Sequence, residues 1–363
     1  MNTTGIIVEY NPFHNGHKYH LEQTRKITDC DLLIAVCTGN YNQRGDISII
    51  DKYAKTKAAL DNGVDLIVEL PYIYTVQNAY VFGSKAVEIL KKLKVDNIVF
   101  GSETNNLEEL KKYAELEVDV TRLKRLLRDG NSYPKSYGLL SASLYPNDML
   151  AVTYLKALKD SNIKPISIQR TNNYNSKEMD VICSATAIRN AIYNKEKYDG
   201  STPLDIDNPV FNSDLYPYLR NLLITSSRQD LKEIFMVSEG IENLLKQNAI
   251  KYTNYDEFID SCVSRRYTKS RIQRILLHIM NQVKQSDVDN LSDNNYIRVL
   301  GFNSKGQKFI KDNKEDINFI TQFKHLPDDY KEIEWKANLL YYSLFSDNED
   351  KIKRELGSPL IVK

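Results

Sequence analysis

The sequence has few cysteines, and their spacing indicates neither a disulfide framework nor a zinc ribbon. Only four occur in 363 residues, scattered along the chain without a Cys-x-x-Cys pair. No apolar run approaches the roughly 18 residues that cross a bilayer. Residues 1–8 lack the basic start and long apolar core of a signal peptide. We therefore expect a reduced, soluble, cytoplasmic protein that does not bind a membrane.

An excess of charge of either sign is also missing. Lysine and arginine number 49 against 48 acidic residues, which gives a formal net charge of +1. This balance argues against a uniformly basic surface for nucleic acid, but it allows a local basic face. An apolar content of 42% is ordinary for a globular protein. The length allows two or three domains with a substantial core.

Histidine is scarce too, and its distribution is uneven. Of five histidines, His14, His17 and His20 fall within seven positions of the segment Ile6–His20. The apolar start of this segment predicts a buried strand, and a helix is predicted from near Gly16. The sequence His-Asn-Gly-His therefore lies at a strand-to-helix turn.

Such a turn favours a phosphate group. The first backbone N–H groups of a helix have no intrahelical partner, and the helix dipole is positive there. His14 and His17 can both donate to phosphate oxygens, while Gly16 lets a ligand approach the backbone. A structural histidine pair and a zinc site are the alternatives. Zinc needs three or four ligands, and no cysteine or carboxylate pattern accompanies these histidines, so we predict no metal ligands.

Alternating strands and helices predict a doubly wound α/β domain with a parallel sheet over residues 1–200. The predicted strands are Ile6–Glu9, Asp31–Cys37, Asp65–Leu70, Asp96–Phe100 and Ile166–Gln169. The predicted helices are Gly16–Lys26, 51–62, 78–93, Asn147–Lys159 and Ala185–Tyr193. Ligands of such folds bind at the carboxyl ends of the strands. Thr38–Asp46 and Gly101–Glu103 follow two of the strands, so we expect them to line the pocket rather than to form ordinary turns.

Residues 201–363 are predicted to form a second, mainly α-helical domain. The turn-rich stretch 195–215 marks the boundary. Helical spacing of apolar residues covers 230–248, 255–283 and 329–346, whereas the Asn-, Asp- and Lys-rich parts of 284–316 are predicted as loops. Tyr296–Leu300 is a candidate short strand.

Ser264–Ile279 is strongly basic, and no acidic residue occurs between Asp260 and Asp287. Its cations are Arg265, Arg266, Lys269, Arg271 and Arg274. Isoleucine and leucine at helical spacing leave the remaining faces to these cations, which suits an RNA backbone. A solvated helix face is the alternative. The same two interpretations apply to residues 121–130, with Arg122, Lys124, Arg125 and Arg128.

The H-x-G-H turn and the stretch Ser184–Ile192 resemble the HIGH-type nucleotidyltransferase superfamily. Within it the chain resembles the bacterial tRNA(Met) cytidine acetate ligase family. The similar stretches keep their order over nearly the whole chain and are GIIVEYNPFHNGHKYH, TGNYNQRGD, DLIVELP, FGSE, YPNDMLAVTYLKALK, CSATAIRNAI, SRRYTKSRI and YIRVLGFNSKG.

The resemblance implies that acetate attacks the α-phosphate of ATP to give acetyl-adenylate. The acetyl group then passes to N4 of the wobble cytidine in elongator tRNA(Met), without acetyl-CoA. His14 and His17 are the implied catalytic residues, with Mg²⁺ accompanying ATP and no protein partner indicated. The implied ATP-binding residues are Ile7, Val8, Glu9, Tyr10, Asn11, Pro12, Phe13, His14, Asn15, Gly16, His17, Lys18, Tyr19, His20, Gly101, Asn147, Arg170 and Arg189.

Other roles are open for several of these residues and for the chain. Arg170 and Arg189 could form structural ion pairs, and Asn147 could cap a helix. A small-molecule adenylyltransferase similar to pantothenate synthetase would account for residues 1–190 but not for the basic segment. A non-catalytic RNA-binding protein would leave the intact His-x-Gly-His turn without a role.

Overall fold

The structure, a computed structural model, describes residues 1–117, 119–140, 144–170, 183–198 and 200–362. Its strands are β1 (Thr3–Val8), β2 (Leu32–Thr38), β3 (Leu66–Leu70), β4 (Asn97–Ser102), β5 (Lys164–Gln169), β6 (Ile297–Phe302), β7 (Phe319–Ile320) and β8 (Leu360–Ile361). Those of the first 170 residues lie within a few residues of the predicted strands.

Helices connect these strands and make up most of the later part of the chain. Those before residue 200 are α1 (Asn15–Thr28), α2 (Lys52–Asp61), α3 (Tyr72–Thr75), α4 (Ala79–Lys92), α5 (Leu107–Glu115), α6 (Val120–Arg128), α7 (Tyr133–Leu140), α8 (Pro146–Leu158) and α9 (Ala185–Tyr193). Those after it are α10 (Asn212–Thr225), α11 (Arg228–Glu233), α12 (Ile241–Lys251), α13 (Tyr255–Cys262), α14 (Lys269–Met280), α15 (Gln285–Asp289), α16 (Ser304–Asn313), α17 (Asp328–Tyr342) and α18 (Asn348–Leu356). A short 3-10 helix spans Phe323–His325.

The strands form one mixed sheet in the order β5-β4-β1-β2-β3-β6-β7, and β8 also pairs with β6. The first five strands are parallel to one another. The chain runs outward from β1 through β2 to β3 and then crosses back to β4 on the other side of β1. This reversal creates the crevice at the carboxyl ends of β1 and β4 in which doubly wound proteins bind ligands.

Both faces of the sheet are buried, as β2 illustrates. Leu32, Ile34 and Val36 join the apolar cluster under α4 and α8, whereas Leu33 and Ala35 join the one under α1 and α2. Successive side chains of a strand point to opposite faces, so a strand covered on both sides reads as a continuous apolar run. The architecture confirms the predicted doubly wound fold followed by a mainly helical part.

The later part confirms the candidate strand Tyr296–Leu300 and differs from the predicted loops of residues 284–316 at α15 and α16. The candidate strand is β6, and it pairs antiparallel with β3, with Val68 opposite Val299. The helix α16 lies where loops were predicted, because Asn303 caps its first turn and Phe309 packs into the sheet's core. We keep the division into residues 1–200 and 201–363 as a prediction, with β6 contributed to the sheet from the later part.

Helices α10, α12, α13 and α14 pack around a separate apolar cluster. The basic segment from Lys269 onward therefore lies on a helix whose other side is fixed by a core of its own, whereas Arg265 and Arg266 precede that helix. Within the described residues, no helix is long and apolar enough to cross a membrane.

Candidate active site

A cavity opens at the carboxyl ends of β1, β4 and β5. It is lined by most of the segment Ile7–His20 and by Gly101, Asn147, Arg170 and Arg189. Pro12, Phe13, Asn15 and Lys18 are the members of that segment that do not line it. Phe13 is buried in the core and Lys18 is exposed, so these two side chains support or flank the turn.

His14 and His17 cap the first turn of α1 reciprocally. Nδ1 of His14 accepts the backbone N–H of Gly16 at 3.0 Å, and Nδ1 of His17 accepts the backbone N–H of His14 at 3.2 Å. A ring nitrogen that accepts a hydrogen bond carries no hydrogen itself, so each neutral imidazole bears its hydrogen on Nε2. The two rings stack with their centroids 3.7 Å apart. The backbone thus orients two Nε2–H donors in the cavity.

The surroundings keep these imidazoles neutral. Burial, followed by the Arg170 and Arg189 cations, lowers the pKa of His14 to about 3. Burial and the neighbouring His14, Arg170 and His20 lower the pKa of His17 well below its ordinary value. Burial and Arg170 lower the pKa of His20 to about 4. Arginines supply the positive charge at neutral pH, and the histidines supply neutral N–H donors.

The first turn of α9 forms a second wall, since Cys183–Thr186 line the cavity together with Arg189. Ser184 is the N-cap of this helix. The guanidinium of Arg189 donates to the carbonyl oxygen of Asn11 at 2.7 Å and to the hydroxyl of Thr186 at 3.2 Å. Two helix N-termini and two arginines therefore border one cavity, an arrangement that favours a polyanion.

Gly101 makes room for Arg170 where β4 ends. A Cβ atom at Gly101 would lie 3.2 Å from Cγ of Arg170, which is tighter than an ordinary contact. The backbone N–H of Arg170 donates to the carbonyl oxygen of Ser102 at 3.0 Å. The glycine lets the arginine chain cross the strand end toward the histidines.

The structure gives Asn147 a different contact from the helix cap that was its alternative role. Tyr145 is the N-cap of α8 and Pro146 begins the helix, so Asn147 lies inside the first turn. Its side-chain amide donates to Oε1 of Glu103 at 2.6 Å, and Oε2 of Glu103 accepts the backbone N–H of Asp148 at 3.1 Å. Glu103 satisfies the helix start, and Asn147 is held at the cavity wall.

Sequence comparisons agree with this geometry. The model of the HIGH Nucleotidyl Transferase family matches residues 1–355. A tRNA(Met) cytidine acetate ligase of Caldicellulosiruptor saccharolyticus is 38% identical, covering 89% of this chain and 87% of that protein. Ligases of the same name from Oceanobacillus iheyensis and Clostridium perfringens are 34% and 37% identical, and each match covers both chains completely.

The chain belongs to the tRNA(Met) cytidine acetate ligase family.

Solved structures of this family share the fold over their full length. The apo form of Thermotoga maritima TmcAL superimposes with a TM-score of 0.90 at 28% sequence identity, and the match covers both chains completely. A second structure of that protein, bound with alpha-thio ATP, gives a TM-score of 0.88. The Thermotoga protein thus binds an ATP analogue on the same fold.

The loop after β2 contributes four residues to the cavity wall. The sequence predicted that the stretch Thr38–Asp46 would line the pocket, but not which of its residues would do so. The four residues are Asn42, Gln43, Arg44 and Asp46. Their position after a strand was the signal for the loop, but nothing in the sequence indicates which side chains turn inward. Apolar wall residues were missed entirely, because they read as ordinary core positions: Phe82, Phe100, Leu150 and Tyr154.

The five cations of the basic segment do not share one environment. Arg265 and Lys269 are exposed, and Arg266 is half-buried. Arg271 lies 3.1 Å from the carboxylate of Glu239. Arg274 was expected on an outer face of the helix but is buried, and its guanidinium donates to the carbonyl oxygen of Gln43 at 3.2 Å. Packing of α14 against the β2 loop explains this difference.

Arg265 contacts the residues that directly follow α6. The backbone N–H of Ser132 donates to the carbonyl oxygen of Arg265 at 3.0 Å, and Nε of Arg265 donates to Asn131 at 2.9 Å. The α6 cations are all exposed: Arg122, Lys124, Arg125 and Arg128. We call these four residues, with Arg265, Arg266 and Lys269, the basic surface.

Proposed function

We propose that this chain is an ATP-dependent acetate ligase that acetylates N4 of the wobble cytidine in elongator tRNA(Met), forming N4-acetylcytidine. The observation that carries the proposal is the convergence of two neutral imidazole donors, two arginines and two helix N-termini on one cavity. The names of the relatives supply the identity of acetate and of the tRNA.

In the first step a carboxylate oxygen of acetate attacks the α-phosphorus of ATP. The new bond to oxygen forms as the bond to the bridging oxygen breaks, which gives acetyl-adenylate and pyrophosphate. Such a reaction depends on positioning and on neutralisation of charge. Nε2–H groups of His14 and His17 donate to the phosphate oxygens, and Arg170 and Arg189 bind the triphosphate. Gly101 and Asn147 face the nucleoside.

We assign the ATP site to the residues of Ile7–His20 that line the cavity, together with Gly101, Asn147, Arg170 and Arg189. Mg²⁺ bound to the triphosphate would supply further neutralisation of charge. Among the residues that the structure describes, no group of three or more His, Cys, Asp or Glu side chains is arranged to hold a metal ion. The ion would therefore depend on phosphate oxygens and water for most of its ligands.

The tRNA would bind along the segment that contains Arg265, Arg266, Lys269, Arg271 and Arg274. Exposed cations neutralise the phosphate backbone, and the released counterions favour binding. Arg274 would act indirectly, by holding the β2 loop against α14. A small-molecule adenylyltransferase would not need this basic segment. A non-catalytic RNA-binding protein would not need the capped histidine pair.

A tRNA substrate places the protein in the cytoplasm.

The test is ATP–pyrophosphate exchange with acetate and without tRNA. Label from pyrophosphate should enter ATP only when acetate is present, because formation of acetyl-adenylate is reversible on the enzyme. Formate and butyrate are suitable comparison acids. Absence of acetate-dependent exchange in a folded protein would contradict the proposed first step.

A further inference from the structure

Glu9 is a carboxylate at the edge of a cavity otherwise suited to anions. It follows β1 directly, lines the cavity and remains partly exposed to it. Its Oε1 accepts the backbone N–H of Gln43 at 2.6 Å. Among the described residues, Oε2 has no hydrogen-bond partner. One oxygen therefore fixes the side chain, and the other is left to face a ligand.

The charges around Glu9 differ from those around the histidines. Glu9 lies in the fields of Lys55, Arg44 and Asp46, which belong to α2 and the β2 loop. The histidine pair lies in those of Arg170 and Arg189. The cavity therefore has a cationic end for phosphates and a second end where the carboxylates Glu9 and Asp46 accompany the cations Arg44 and Lys55. Oε2 of Glu9 would repel a phosphate oxygen placed against it, so this atom suits a group that donates hydrogen bonds.

The carboxylate end is connected to the helices that carry the proposed RNA surface. Oδ1 of Asp46 accepts the side-chain amides of Gln273 at 2.7 Å and of Asn212 at 3.1 Å. Gly45 has a φ of +89°, and a Cβ there would lie 2.4 Å from the backbone nitrogen of Arg274. The loop that fixes Glu9 is thus packed tightly on α14, and RNA bound there would lie close to this end.

We propose that Glu9 is the proton acceptor for the exocyclic amine of cytidine in the acetyl-transfer step. This inference rests on the proposed function. The N4 nitrogen attacks the acetyl carbon, the N–C bond forms, and the bond from that carbon to the phosphate oxygen breaks. AMP leaves with that electron pair, and one N4 proton passes to Oε2 of Glu9. Carboxylates are the usual partners of the cytosine amino group in proteins.

The protonation equilibrium of Glu9 suits this role. Burial raises its pKa, whereas the Gln43 N–H, Lys55 and Arg44 act in the opposite direction and Asp46 adds to the rise. Cys37 and Tyr154 also face it, and burial keeps both neutral. A carboxylate with a raised pKa takes a proton more readily than an ordinary one and remains ionised once the pH exceeds that pKa.

Asp46 is the other carboxylate at this end, and it is a less suitable acceptor. Its Oδ1 already accepts two amide N–H groups, so less of its carboxylate is available to a further donor. We therefore assign Asp46 to positioning of the β2 loop and proton transfer to Glu9.

The experiment compares the two half-reactions in Glu9→Gln. The amide oxygen of Gln can still accept the Gln43 N–H, so the loop should keep its position. Acetyl transfer to tRNA in a single turnover should fall by about 10²- to 10⁴-fold, the range of general-base catalysis. Acetate-dependent exchange should fall far less, because the first step moves no proton. Glu9→Asp, which retains a carboxylate, should recover part of the transfer rate.

Several outcomes would overturn the assignment. Equal losses in both half-reactions would limit Glu9 to the nucleotide-binding role of its segment, and unchanged transfer would remove it from acetyl transfer. If the acetyl-transfer rate no longer depended on pH in Asp46→Asn but still did in Glu9→Gln, Asp46 would be the proton acceptor. Should Glu9→Gln fail to fold, a transfer rate independent of pH in the native protein would contradict the proposal. A native protein without exchange would instead contradict the proposed function itself.

Discussion

The histidine pair shows how backbone contacts determine side-chain chemistry. Each Nδ1 accepts a backbone N–H, so each ring presents Nε2–H. Burial and the arginines keep both rings neutral in the free protein. The spacing of His14 and His17 predicted the phosphate-binding turn. It did not predict the reciprocal cap, which depends on the dihedral angles of the turn.

Replacing His14 or His17 by alanine should lower acetate-dependent exchange by about 10²- to 10³-fold, the usual effect of losing one donor that stabilises a transition state. His325→Ala is the matched control, because His325 is exposed on the short 3-10 helix. Steady-state exchange and thermal unfolding should be measured together. Exchange at the native rate in both variants would exclude the histidines from the mechanism.

Single residues also show where sequence reasoning fails. Glu103 caps α8 and holds Asn147 from a position 44 residues earlier, and no local pattern indicates such a contact. Arg274 occupies a helical position that reads as outward-facing but is covered by the β2 loop. Both contacts are tertiary, and they arise only after distant elements pack together.

At the scale of elements, the first five strands and the helices α1, α2, α4, α8 and α9 could be predicted because their apolar patterns are regular, whereas α3, α5 and α7 were not predicted. The antiparallel β3–β6 pair could not, since Val68 and Val299 are far apart in the chain. The helix α16 was missed because its polar composition resembles a loop and only Phe309 among its residues is a buried apolar side chain. The cavity is likewise assembled from several elements, so its location could be predicted but not its full lining.

The basic surface yields a prediction at this scale. Arg265→Glu combined with Arg266→Glu should weaken tRNA binding and reduce the slope of log affinity against log salt by about 1 to 2, because up to two phosphate contacts are lost. Exchange without tRNA should be spared. Affinity is measured by filter binding over a range of salt concentrations.

Lys308→Glu with Lys311→Glu is the matched control, because it makes the same change of charge at exposed positions of α16. Equal weakening in both double variants would indicate a general effect of net charge. Unchanged affinity in the arginine variant would assign that segment to structure.

At the scale of the whole molecule, a buried ionic cluster joins the first and last parts of the chain. Lys52 lies 2.8 Å from Glu69 and 2.9 Å from Glu355, and Arg298 also contacts both carboxylates. Burial opposes the charge of Glu355, but Lys52 and Arg298 outweigh it and lower its pKa. Its contribution to stability is therefore present at neutral pH and is lost as the pH falls through that lowered pKa.

Lys52→Met should lower the free energy of unfolding by about 3–5 kcal/mol, because two buried carboxylates would share one remaining cation. Lys57→Met, on the same helix, removes only an exposed pair with Asp61 and should cost less than about 1 kcal/mol. Urea denaturation measures both. If both substitutions lowered the free energy of unfolding by the same small amount, the buried cluster would stabilise the protein no more than an exposed ion pair does.

The central claim is tested most directly by nucleoside analysis of elongator tRNA(Met) after incubation with the protein, ATP and acetate. The account predicts N4-acetylcytidine at the wobble position, formed only when ATP and acetate are both present and without acetyl-CoA. Unmodified cytidine after incubation with a protein that catalyses acetate-dependent exchange would contradict the claim that the activated acetyl group is delivered to tRNA.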